Sequence, residues 1–177
     1  WVPNHMGIAS GQNPWWEDVL ENGPSSLCAD YFDIDWRPPK EDMFDTILLP
    51  VLGDQYGVTL EKGDLKVVME DGAFRLTYYE HRFPLGPKTV LAIVADAVPR
   101  TGLPDDHEAQ QELESIRAAI SHLPDRRATD VVMRRERARE KEVIKRRLHA
   151  LLARVPAIRD AFAATLAEFN GTPGVSA

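Results

Sequence analysis

One cysteine, Cys28, stands in a chain of 177 residues. An internal disulfide is excluded, and so is a metal site built on several thiolates; a reducing compartment suits such a chain. No apolar run approaches the roughly 20 residues that a bilayer-spanning helix needs. The first residues carry neither the basic nor the apolar segment of a secretory leader, so a cytoplasmic location is the expectation. The five histidines, His5, His81, His107, His122 and His149, form no HExxH or HxxxH spacing, and we expect no cofactor and no metal. A cationic surplus is missing as well. Lys and Arg number 21 against 28 Asp and Glu, a net charge of −7, which argues against nucleic acid or an anionic membrane as partner.

Periodicity is scarce in roughly the first 50 residues, which are rich in Pro, Gly, Trp and Asp. One piece is helical: after Asn13-Pro14, the run "WWEDVLENG" has helical spacing and stops at Gly23-Pro24. The apolar run 47–52 reads as a buried segment interrupted by Pro50. Residues 54–62 read as a short helix with Asp54 as N-cap and Gly63 as the stop. A β-hairpin follows. Leu65, Val67 and Met69 alternate in "LKVVME", and Phe74, Leu76 and Tyr78 in "AFRLTYY". Asp71-Gly72 between them is a preferred pair for a type I′ turn.

Past the Pro-rich connector "RFPLGPKT" the pattern turns helical. Asp105 to Glu108 resembles a capping box, and Ala109, Leu113, Ile116, Ile120 and Leu123 form an apolar stripe ended by Pro124. A second helix spans about 129–154, with Ile144, Leu148, Leu151, Leu152 and Val155 on its apolar face. A third starts at Pro156, buries Ile158, Phe162, Leu166 and Phe169, and stops at Asn170-Gly171. These helices predict a small antiparallel helical subdomain. The expected class is α+β: a loop-rich, cleft-forming region over 1–104 and a helical subdomain over 105–177, together one domain.

Two constellations bear on function. The basic stretch "RRERAREKEVIKRR" interleaves Glu136, Glu140 and Glu142 with Arg and Lys. The spacings Glu136–Arg139, Arg137–Glu140 and Glu142–Arg146 suit intrahelical pairs, so we read it as a solvated face. A partner-binding surface using Arg134, Arg135 and Arg139 is the rival reading. Separately, Trp15, Trp16, Tyr31, Phe32 and Trp36 crowd among Asn4, Asn13, Asn22, Asp30, Asp33 and Asp35. Aromatic faces beside short amides and carboxylates suit a sugar, whose apolar face lies on the ring while its hydroxyls bond the polar groups. The same aromatics would equally staple a region poor in other core residues.

The runs "VPNHMGIA", "NPWWEDVLENGPSS", "YFDIDW", "ILLPVLGDQYGVTLEKGDL" and "YYEHRFPLGPKT" follow one another in this order, across roughly the first 90 residues. Together they closely resemble the maltooligosyl trehalose synthase family, in the α-amylase clan of glycoside hydrolases. The resemblance implies a piece of a (β/α)8-barrel enzyme, inserted after the third barrel strand. It implies an intramolecular transglucosidase that turns the reducing-end α-1,4 bond of a maltooligosaccharide into an α,α-1,1 bond. "VPNH" resembles the clan's first motif, at the barrel face where active sites lie. By that match His5 would donate to hydroxyls of the reacting glucose and Asn4 would hold the loop; the aromatic crowd adds Trp15, Trp16 and Trp36 as further substrate-binding candidates. A retaining mechanism needs two carboxyl groups about 5–5.5 Å apart. In the clan these lie on later barrel strands, so no residue here is assigned a catalytic role. The implied partners are the maltooligosaccharide substrate and the remainder of the barrel enzyme. An α-glucan-binding module acting alone is the alternative. As a detached piece, the chain should show its weakest amide protection in residues 1–36.

Overall fold

The computed structural model describes residues 7–8 and 13–172. The Asn13 carboxamide oxygen accepts from the amides of Trp15 and Trp16 and caps the first helix, α1 (Pro14–Asn22). Pro14 begins it, where a missing N–H costs nothing. Gly23, at a φ of 59°, ends it as expected.

Residues 47–52, expected to be buried, form neither helix nor strand, and Leu48 is 74% exposed. Pro50 removes a donor, and no described strand offers a ladder, so apolar composition alone could not bury the run. The helix that follows, α2 (Tyr56–Glu61), is shorter than expected, and its N-cap is Gln55. Asp54 instead accepts from the Gln55 amide and pairs with Lys62 at 3.0 Å, while Gly63 (φ 70°) makes the stop.

The hairpin forms as expected. Strands β1 (Leu65–Glu70) and β2 (Ala73–Tyr78) pair in antiparallel register from Leu65 opposite Tyr78 to Glu70 opposite Ala73. Asp71 and Gly72 between them have positive φ, 51° and 76°. Gly72 is needed twice over, because a Cβ there would lie 2.6 Å from the Lys145 carbonyl oxygen. A third strand, β3 (His81–Pro84), occupies part of the stretch read as a connector and pairs with β2. It is only four residues long and ends in proline, too little to show a period.

The helix α3 (Pro87–Ala97) also arises within and just past that connector, on a proline at its first position. It buries Ile93, Val94 and Ala97. The expected helices follow as α4 (Glu108–Ser121), α5 (Val131–Arg154) and α6 (Pro156–Asn170). The capping box does not form. His107 is the N-cap of α4, its Nδ1 accepting from the Ala109 amide at 3.1 Å, because the helix starts later than Asp105 and Asp106 would require. Likewise α5 starts at Val131, since Asp130 caps Val132 and Met133.

One core holds these parts together. Phe74 from the sheet meets Phe162 of α6 at 5.8 Å between ring centres, among Ile93, Leu113, Ile116, Leu148, Leu151 and Ile158. At about 25 cal/mol per Å2 of apolar surface, side chains this deeply buried dominate the favourable free energy of folding. The Asn170 carboxamide reaches β1, accepting from the Val67 amide at 2.6 Å and donating to its carbonyl at 2.9 Å. A side chain thus closes part of the outer edge of the sheet, where bare backbone would invite another strand.

Candidate functional site

Successive helical residues point about 100° apart, so Trp15 and Trp16 on α1 cannot share a face. Trp16 turns inward. It is buried against Phe32, 5.0 Å between ring centres, beside the fully buried Val19. Trp15 turns outward and is 50% exposed. It meets the ring of Tyr31, itself 59% exposed, edge-on at 5.5 Å. Asp30 beside Tyr31 and Asp33 two residues on are also exposed. Two open aromatic rings flanked by carboxylates form a surface of the chemistry that suits a pyranose, with an apolar face for the ring and acceptors for hydroxyls. Trp36 is half-buried, and its carbonyl accepts from the Asp45 amide. Asn4 and His5 lie outside the described residues.

The platform is held in place by charge. Asp18 and Glu21 on α1 face α5, where Lys141 lies 2.7 Å from each and Lys145 lies 2.7 Å from Glu21. Lys141 and Glu21 are both buried. Ser26 donates to the other oxygen of Asp18 at 2.5 Å. Arg134 bonds the Ser26 carbonyl and pairs with Asp30 at 3.3 Å. Glu17 pairs with Arg75 of β2 at 3.1 Å. Burial pushes the Asp18 carboxyl up, but the hydrogen bond and charge of Lys141, with the Ser26 hydroxyl and Lys145, outweigh it and leave it below the ordinary value. Burial likewise opposes the Lys141 ammonium, and Glu21 with Asp18 outweigh it and raise its pKa. Both ions are therefore held in their charged forms.

This corrects the reading of the basic stretch as a solvated face. Arg137 is 5% and Lys141 6% exposed. Arg134, Arg137, Lys141 and Lys145 recur at steps of three and four, and Ile144, Leu148, Leu151 and Leu152 extend the same spacing. The inward stripe of α5 begins cationic and turns apolar. Within α5, Arg139 pairs with Glu140 at 2.9 Å and Glu142 lies 3.4 Å from Lys145 and 3.6 Å from Lys141; other pairings run to other elements, such as Arg147 with Glu112 of α4 at 2.9 Å. That spacing was the available signal, hidden because a hydrophobic period counts Arg and Lys as outward. A second anchor is Asp45, buried and at a φ of 57°. Arg126 donates to its carbonyl at 2.9 Å. Arg127 comes within 2.9 Å of its carboxylate at an angle that makes no hydrogen bond, so charge alone joins that pair.

Other surface is apolar and open. Leu48, Tyr56, Leu60 and Tyr79 are each at least half exposed, as are Val131 and Val132 at the start of α5. Among the described residues no His, Cys, Asp and Glu cluster is arranged to hold a metal ion. No described helix is long and apolar enough to cross a membrane.

The chain is similar to maltooligosyl trehalose synthase proteins of two Mycobacterium tuberculosis strains, CDC 1551 / Oshkosh and ATCC 25618 / H37Rv, whose curated names are themselves provisional. Identity is 39% over 81 residues, covering 41% of this chain and 10% of each relative. The match thus spans about a tenth of the length of these relatives, and the kinship is distant. No family model matches the chain. No solved structure matches it either.

Proposed function

We propose that the chain is an accessory domain of a trehalose-forming intramolecular transglucosidase, inserted after the third strand of its (β/α)8 barrel. In this reading it walls the substrate cleft and performs no chemistry alone. The observation that carries the reading is the open Trp15–Tyr31 platform on a helix fixed to the body by buried ion pairs. A rigid aromatic surface flanked by acids suits an α-glucan, the class of substrate that the relatives' names imply. The carboxylates of Glu21 and Asp45, the buried acids among the described residues, are engaged by cations. They are structural, and none is poised as an acid/base. The exposed apolar residues over 48–60 and at Tyr79 are the surface that the remainder of the enzyme would cover. His5 and Asn4, on the same side of the sequence, would approach the reacting glucose.

The test is to incubate the chain with maltopentaose and follow reducing ends. The expected result is no loss above background; steady loss would refute an inert domain. The exposure of Trp15 favours one second reading, a glucan-binding module that works by itself. A saturable tryptophan-fluorescence change at micromolar maltopentaose, abolished in Trp15→Ala, would favour that module. Weak binding or none fits a wall of a larger cleft.

A further inference from the structure

A cleft of about 440 Å3 opens between the end of α1, the start of α3, the end of α4 and the α4–α5 connection, with Arg137 of α5 on its wall. Its polar lining is unusual for a chain of net charge −7. Two guanidinium groups, Arg126 and Arg137, line it together with Lys88. Arg137 is only 5% exposed, yet its closest bonds are to neutral oxygens: the Asn22 carboxamide at 3.3 Å and the Pro124 carbonyl at 2.5 Å. Arg126 is half-buried and donates to the Asp45 carbonyl, also neutral. Among the described residues, no carboxylate oxygen lies within ion-pair distance of either guanidinium. Burial lowers the pKa of each; Glu21 partly offsets this at Arg137 and Asp45 at Arg126, while the charge of Arg126 opposes that of Arg137.

Two cationic groups on one wall, each hydrogen-bonded only to neutral oxygens, leave a positive field that nearby carboxylates offset only in part. The acids that border the cleft do not cancel it. Glu21 is already bound by Lys141 and Lys145, and Asp125 is exposed and accepts from the Arg127 amide. The remaining walls are Leu20, Leu91, Ile120 and Leu123, with the exposed hydroxyls of Thr89 and Ser121 at the rim. A volume of this size exceeds that of a lone oxyanion and lies within the range of small-molecule sites.

We propose that this cleft binds a phosphate oxyanion carried on a small hydroxylated molecule, seated on Arg126 and Arg137 with Lys88 at the rim. The planar guanidinium fork matches phosphate oxygens two at a time, and the apolar walls and hydroxyls receive the rest of the ligand. This site is separate from the Trp15–Tyr31 platform and does not depend on how that platform is used.

The experiment is calorimetric titration of the chain with glucose 6-phosphate, inorganic phosphate and glucose. The expected result is saturable binding of the sugar phosphate, weaker binding of inorganic phosphate, none of glucose, and weakening by added salt. Phosphate binding as tightly as the sugar phosphate would overturn the hydroxylated-carrier part, leaving a site for the free ion. Arg126→Gln should weaken binding about tenfold, and Lys88→Gln, at an exposed rim position, two- to threefold. Near-UV circular dichroism checks that Arg126→Gln folds; where it does not, Lys88→Gln carries the test, since an exposed side chain is dispensable to the core. No saturation by either anion at about 10 mM, a weakness beyond any specific site, would overturn the proposal. Unchanged affinity in the folded variants, or equal binding of glucose, would do so too.

Discussion

Residues 65–170 and residues 13–64 are held by different physics. In the first region, Phe74, Ile93, Leu113, Leu148, Ile158 and Phe162 share one apolar core, to which β1, β2 and the helices α3 to α6 each contribute side chains. In the second, helical and strand residues are few, and α1 is fastened to α5 by Lys141, Lys145, Asp18 and Glu21. Non-directional burial tolerates sliding and repacking. A buried ion network fixes one geometry, and it loses much when one member is removed. The difference suits the proposed division of labour: an apolar body that folds, and a charged mount that fixes an aromatic platform.

The largest effect should come from the body. Phe162→Ala should lose about 4 kcal/mol in urea unfolding, since a fully buried ring leaves both lost transfer energy and a cavity. A loss below about 1 kcal/mol would mean that the core is not shared as described. Next is the mount. Lys141→Met keeps the volume but leaves Asp18 without its paired cation and Glu21 with Lys145 alone, and it should cost about 3 kcal/mol. If the variant matches the parent, the pairing contributes no more than an apolar contact would. The smallest effect is at the cap: Asn13→Ala should cost about 1 kcal/mol and loosen Trp15 and Trp16 together, read as a shift in tryptophan emission.

The mount also sets a pH window. Asp18 has a lowered folded pKa, so its contribution is complete above its ordinary value of 3.8 and is lost as pH falls through the folded value. Lys141 has a raised folded pKa, so its contribution is complete below its ordinary value of 10.5 and is lost as pH rises through the folded value. The difference in urea stability between the parent and Lys141→Met should therefore stay flat through neutral pH and narrow in strong acid. A difference that grew in acid would contradict the pairing.

The same contrast decides what was legible in the sequence. The hairpin could be read because Asp71-Gly72 is turn chemistry written in two residues. The stripes of α4 and α6 could be read because apolar residues recur at helical spacing, although Phe169, expected to be buried on α6, is 47% exposed in its last turn. The strand β3 and helix α3 sit on prolines in a stretch that looks like linker, and only pairing with β2 and packing on α4 and α6 make them elements. The run 47–52 reads as buried because apolar composition says nothing about whether a partner is present. The first half of the α5 stripe is hidden for the opposite reason: its buried members, Arg137 and Lys141, are charged, and the carboxylates that bind Lys141 lie more than 100 residues away in sequence. Of the aromatic crowd, helical geometry alone separates an outward Trp15 from an inward Trp16. Which of them touches sugar is a matter of the proposed cleft, along with Asn4, His5 and Trp36.

Native-state amide exchange, read residue by residue, tests the central contrast most directly. The amides of α4, α5 and α6 around Ile116, Leu148 and Phe162 should exchange slowest, and those of α1 around Val19 and Leu20 measurably faster. In Lys141→Met the α1 amides should lose further protection while those near Phe162 keep theirs. Protection in α1 equal to or above that of α6, or a uniform loss across both regions in the variant, would contradict a charged mount on an apolar body.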